Sequence, residues 1–149
     1  MAQILKLEAD LQLKTPADKL YNLLKTQNQH VPKVSSDKVQ SVQVLEGDWE
    51  TEGSVRLWKG TIDGKVEVFK ERAEVDEANK TITSVAIGGT ILDLYSSYKL
   101  TIKVASKSEG ALLKISIEYE KLNEDAPPPN KYLRYVSNIV KDIDSHHAN

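Results

Sequence analysis

Side chains able to do chemistry are few in this chain, and their spacing does not gather them. Glu118 and Glu120 are a candidate pair for acid–base work, which needs two carboxyls around one substrate. They lie two apart in a run where Leu113, Ile115, Ile117 and Tyr119 alternate with Lys114, Ser116, Glu118 and Glu120, so both share the wet face of a strand. Asp142 and Asp144 fall on the polar side of a C-terminal helical pattern by the same reasoning. The histidines are His30, His146 and His147. Neighbouring helical residues point about 100° apart, so the adjacent pair is a poor chelate, and His30 reads as a surface residue. Cysteine is absent and no Gly-x-Ser-x-Gly elbow occurs, which leaves no activated nucleophile. The loop from Gly47 to Gly53 exposes backbone N–H groups as a phosphate cradle does, but it lacks a Gly-Lys-Ser/Thr ending. Asp48, Glu50 and Glu52 would repel phosphate, and an ordinary connection accounts for it better. No catalytic residue, metal site or cofactor is therefore expected.

Bulk properties narrow the partners. Twenty basic residues against 22 acidic ones give a formal charge of −2, without the basic footprint that attracts nucleic acid or anionic lipid. The opening residues Ile4-Leu5-Lys6-Leu7-Glu8 mix charge into their apolar run, unlike a signal peptide or a membrane span, so neither secretion nor membrane insertion is expected. With no cysteine to ask for an oxidising compartment, a cytoplasmic location is the expectation, and the Asn79-Lys80-Thr81 acceptor carries no weight. Composition is that of a globular protein, 40% hydrophobic and 28% charged, and residues 1–149 suit one domain able to bury roughly 70% of its unfolded surface.

The elements that must position any site follow from periodicity. Residues 5, 7, 9, 11 and 13 are apolar and 6, 8, 10, 12 and 14 polar, which predicts a strand with one wet face. Thr15-Pro16-Ala17-Asp18 supplies an N-cap, a proline for the first helical position and an acidic residue for the helix dipole. Ala17, Leu20, Tyr21 and Leu24 form the buried stripe, and Pro32 confines the following segment to a second short helical piece around residues 29–34. From about Lys38 to Lys121 six short alternating runs are divided by turn residues, with Asp63-Gly64 the strongest hairpin signal. Asp125-Ala126-Pro127-Pro128-Pro129 ends the sheet, and Leu133, Val136, Val140 and Ile143 predict a long amphipathic closing helix. A seven-stranded sheet must cover its apolar face, and only that last helix is long enough to do so.

Several segments, in this order, resemble the major latex proteins, the ripening-related branch of the plant superfamily that includes the major birch-pollen allergen and the class-ten pathogenesis-related proteins. They are Ser36-Asp37-Lys38-Val39-Gln40, Leu45-Glu46-Gly47-Asp48-Trp49, Gly53-Ser54-Val55-Arg56-Leu57-Trp58, Asp63-Gly64-Lys65, Lys70-Glu71-Arg72, Ser97-Tyr98, Glu118-Tyr119-Glu120-Lys121-Leu122 and Lys141-Asp142-Ile143-Asp144-Ser145-His146. The resemblance implies an α+β helix-grip fold of START-like type, a curved seven-stranded antiparallel sheet around the C-terminal helix over a large cavity, with two short helices after the first strand. Two departures bear on the cavity. The usual Trp-Asn-Tyr run is Trp58-Lys59-Gly60, and position 84 is Ser where the family tends to place a bulky aromatic. Both losses are expected to widen the pocket or to alter which ligand fits.

The same resemblance turns Ser54, Arg56 and Trp58 inward, together with Val66, Val68, Lys70 and Arg72, although hydropathy would favour Val55, Leu57 and Phe69. An inward cation is tolerable only beside water, a carboxylate or a polar ligand group. The expected apolar wall is Trp58, Val68, Ile82, Tyr98, Leu100, Ile115, Ile117, Leu133, Val136 and Val140, with Arg56, Lys70, Ser84, Tyr119 and Ser137 as polar anchors. The expected function is a carrier of small hydrophobic or amphipathic molecules such as steroids, flavonoids or hormones, linked to plant defence or stress, acting as a monomer or weak dimer. The alternative is an isomerase or cyclase of specialised metabolism that uses Lys70, Arg72 and Tyr119.

Overall fold

The computed structural model describes residues 3–148. The chain runs β1 (Ile4–Leu13), α1 (Ala17–Thr26), α2 (Val31–Val34), β2 (Val39–Glu46), β3 (Val55–Ile62), β4 (Lys65–Asp76), β5 (Thr81–Gly89), β6 (Tyr95–Ser106), β7 (Ala111–Lys121) and α3 (Asn130–His147). Short 3-10 turns occupy Asn28–His30 and Thr90–Asp93. The strands form one antiparallel sheet in the order β1-β7-β6-β5-β4-β3-β2, curved around α3. The expected fold class, the strand count and the two short helices all hold.

One local expectation fails at the start of α1. Thr15 does not cap the helix, whose N-terminus has no side-chain cap. Its hydroxyl and its amide both donate to the Asp144 carboxylate instead, at 2.7 and 2.9 Å, and the Lys14 amide adds a 3.1 Å bond. A buried acceptor on α3 therefore outcompetes the local cap, and the last helix is latched to the β1–α1 corner. A second latch joins Asp142 of α3 to Ser35 at 2.6 Å and to Lys38 at 2.8 Å.

The face assignment of β4 also needs correction. Asp63 and Gly64 sit at φ of 51° and 81°, the left-handed pair that a two-residue type I′ hairpin requires. Ile62 then pairs with Lys65, so every even residue of β3 faces an odd residue of β4: Arg56 with Glu71, Trp58 with Phe69, Gly60 with Glu67. Arg56 and Trp58 point inward as expected, but their inward neighbours are Glu71 and Phe69. Val66 is 58% exposed, Arg72 is exposed, and Val68 shares their outer face.

Pairing of β4 with β5 shifts register between Lys70 and Glu71, whose partners are Gly88 and Ala86, so Ile87 is left without one. The bulge keeps Ala86, Ser84 and Ile82 opposite Glu71, Ala73 and Val75 on the concave face. Gly89, at φ of 98°, is needed beside it because a Cβ there would collide with the Val68 carbonyl.

The core has two lobes. One joins α1, β6, β7 and α3 through Leu20, Leu24, Val104, Leu113, Ile115, Val140 and Ile143. The other is aromatic, built on Tyr95, Tyr98, Tyr119 and Tyr132 around Ile117 and Ile91, with the Tyr95 and Tyr119 rings meeting edge to face at 5.5 Å. The α3 helix lies against β1 and β7 and touches the far side of the sheet at β3. Between those contacts the bow of β3–β6 stands away from the helix.

Candidate functional site

That gap is a partly enclosed cavity of about 170 Å³. Its sheet side is Arg56 and Trp58 from β3, Phe69, Lys70, Glu71 and Ala73 from β4, Ile82, Ser84 and Ala86 from β5, and Tyr98, Leu100 and Ile102 from β6. Helix α3 contributes Tyr132, Tyr135, Val136, Ile139, Val140 and Ile143, spaced three and four apart as one helical face demands. Leu24, Asn28, Val31 and Val39 close one end, and Ile91 closes the other.

Nine of the expected site residues meet here: Arg56, Trp58, Lys70, Ile82, Ser84, Tyr98, Leu100, Val136 and Val140. Lys70 borders the cavity at the bulge, against Gly88. The other six do not line it. Val68 lies on the outer face through the one-residue parity error. Ile115 and Ile117 are wholly buried in the core lobes, where α3 seats on β7, and Leu133 packs with both lobes. Tyr119 is sealed in the aromatic lobe, and the Ser137 hydroxyl donates to the Leu133 carbonyl at 2.8 Å, one turn back.

The cavity is smaller than the resemblance implies, and one of the two supposed vacancies is occupied. A Cβ on Gly60 would fall on the Tyr135 hydroxyl and within 2.6 Å of the Lys38 carbonyl oxygen. Tyr135 reaches through that space to donate to Lys38 O at 2.6 Å, so the residue missing from β3 is replaced by one from α3. Ser84, by contrast, does leave wall surface open.

The lining is mostly apolar, and its charged groups Arg56, Lys70 and Glu71 lie with Ser84 on the β3–β5 side. Arg56 is only 4% exposed, and its Nη2 donates to the Trp49 carbonyl at 3.0 Å while its guanidinium sits 5.4 Å from the Trp49 ring centre. Among the described residues its Nε finds no partner, nor does the indole Nε1 of Trp58. Burial lowers the Arg56 pKa, with Glu71 and Asp48 opposing, and the group remains a cation. Burial raises the Glu71 carboxyl above its ordinary range against the pull of Ser84, Arg56 and Trp58. Trp58 Nε1 thus lies near enough to favour the Glu71 carboxylate yet short of hydrogen-bond geometry.

Glu67, also buried, is handled differently. It accepts from Tyr132 Oη at 2.7 Å and Thr90 Oγ1 at 3.0 Å, with Lys131 Nζ at 3.7 Å, and serves to tie α3 to β4. Sequence reasoning missed Glu71, Phe69 and Glu67 together, because each depends on the same hairpin parity. The acid–base trio does not assemble: Lys70 borders the cavity, Arg72 lies outside and Tyr119 is behind the wall. No cluster of three or more His, Cys, Asp or Glu suited to a metal occurs among the described residues, and none of the described helices is long and apolar enough to cross a membrane.

Residues 2–149 match the profile of the pathogenesis-related protein Bet v 1 family. MLP-like protein 328 of Arabidopsis thaliana is 32% identical over 92% of this chain and 91% of its own length, and major latex protein 146 of Papaver somniferum is 33% identical over 95% and 89%. Among solved structures, major latex-like protein 151 of Panax ginseng superposes with a TM-score of 0.92 at 32% identity, covering 97% of both chains. Norcoclaurine synthase from Thalictrum flavum, solved with dopamine and hydroxybenzaldehyde, shares the fold at a TM-score of 0.75 and 17% identity, over 98% of this chain and 89% of that one.

Proposed function

The chain belongs to the pathogenesis-related protein Bet v 1 family, on its major latex protein side, and from that premise we propose that it is a cytosolic binding protein for small apolar or amphipathic molecules. The observation that carries this reading is the unfilled space between α3 and the bow of β3–β6. A cavity of about 150 Å³ lined by Leu, Ile and Phe takes up benzene, so 170 Å³ suits a molecule of one ring with a short substituent. Affinity would come from apolar area at about 25 cal/mol per Å². A steroid exceeds that volume, so the natural ligand belongs to the smaller end of the range the family suggests.

Trp58 on the wall provides the readout. Titration with one- and two-ring plant metabolites should change its fluorescence in the wild type. Ser84→Phe, which fills the wall from β5, should weaken that binding at least tenfold while leaving the melting temperature unchanged or raised. Equal binding by Ser84→Phe and wild type would move the ligand out of this cavity.

A second reading rests on Glu71, a carboxyl on the cavity wall beside Ser84 whose pKa burial raises, the direction that general acid catalysis calls for. The norcoclaurine synthase neighbour lends it the fold alone. Product formation abolished by Glu71→Gln would distinguish it from simple binding.

A further inference from the structure

We infer that the ligand carries a carboxylate, and that its anionic end is received by Arg56 and Trp58 while its apolar body lies against α3. The inference rests on the binding reading above and narrows it.

Arg56 is a buried cation, and no Asp or Glu oxygen among the described residues lies within the 4.0 Å of an ion pair with it. A buried charge without its opposite is costly and is retained where something compensates it. The carbonyl and ring of Trp49 satisfy one edge of the guanidinium and supply no negative charge. The acid across the strands, Glu71, stands opposite Arg56 in the β3–β4 register without closing to ion-pair distance.

Hydrogen bonding points the same way. The unpartnered buried atoms that border the cavity, Arg56 Nε and Trp58 Nε1, are both donors. They sit two apart on the same face of β3. What would complete the site is therefore an acceptor with negative charge and more than one oxygen. A carboxylate has both, and the guanidinium fork suits it. With about 170 Å³ available, the apolar part is a single ring on a short chain.

The test uses three probes with one skeleton: 3-phenylpropanoate, its methyl ester and 3-phenylpropan-1-ol, titrated calorimetrically against the full chain at neutral pH. The acid is expected to bind at least tenfold tighter than either neutral compound. Trp58→Phe keeps an aromatic, if smaller, side chain and removes one donor, and should cut that preference to about threefold. Arg56→Gln should abolish it. Because the acid-to-ester ratio is read within each variant, a change in cavity shape common to both probes cancels. Should Arg56→Gln fail to fold, the Trp58→Phe ratio decides alone. Equal binding of acid, ester and alcohol by the wild type overturns the carboxylate while leaving an apolar carrier in place. A preference undiminished in both variants overturns the assignment to Arg56 and Trp58, and absence of binding by all three counts against both readings.

Discussion

Gly60 is a residue whose absence of a side chain has a specific use. Tyr135 places its hydroxyl where the Cβ would be, and the Lys38 carbonyl closes in from the other side. Gly60→Ala should cost about 1–3 kcal/mol in urea unfolding, the penalty for a lost hydrogen bond and a displaced side chain. In a Tyr135→Phe background the cost should shrink without vanishing, because the carbonyl still obstructs. Additivity between the two substitutions would show that the ring and the glycine are unrelated. The sequence exposes the glycine but not its partner, since Tyr135 lies at the margin of the helical stripe and nothing local links it to β3.

At the scale of elements, α3 is held as much by carboxylates as by its apolar face. Asp144, 8% exposed, accepts three bonds from Lys14 and Thr15. Burial pushes its pKa up, but the Thr15 hydroxyl, the two amides and Lys14 outweigh that, and the net shift is downward. A folded-state pKa below the unfolded value of about 3.9 means the stabilisation is complete above that pH and is lost as the pH falls through the folded pKa. Asp144→Asn should therefore lower the unfolding free energy read from urea titration at pH 6 by on the order of 2–3 kcal/mol, and do little at pH 2. A deficit that persists unchanged in acid would assign the loss to packing. Elements were the legible level: alternation, prolines and turn residues marked every strand and helix. What alternation cannot supply is which face of a strand with apolar residues on both sides turns inward. For β4 the two-residue Asp63-Gly64 turn held that information, because it forces even positions to face odd ones. Using it would have placed Phe69 and Glu71 inside and Val68 outside. The distinction between cavity wall and core on β7 and α3 was beyond reach, because Ile115 and Leu100 are chemically alike and only the seat of the helix separates them.

For the molecule as a whole, the helix rests on β1 and β7, touches the sheet again at β3 and stands clear of it in between, which fixes where empty space can exist. The cores on either side are close packed, while the cavity between them is bounded by side chains that lack contacts on one face. Filling it should stabilise the fold: a ligand at a hundred times its dissociation constant adds about 2.7 kcal/mol. A rise in melting temperature with ligand concentration in the wild type, and its absence in Ser84→Phe, would locate that gain in this space.

Emptiness has a mechanical signature too. Scaled to a mole, 170 Å³ is about 100 mL, at the upper end of the 20–100 mL/mol by which proteins typically contract when compression unfolds them. The unliganded protein should yield to hydrostatic pressure more readily than Ser84→Phe does, with a smaller volume change in the variant. High-pressure fluorescence would measure both.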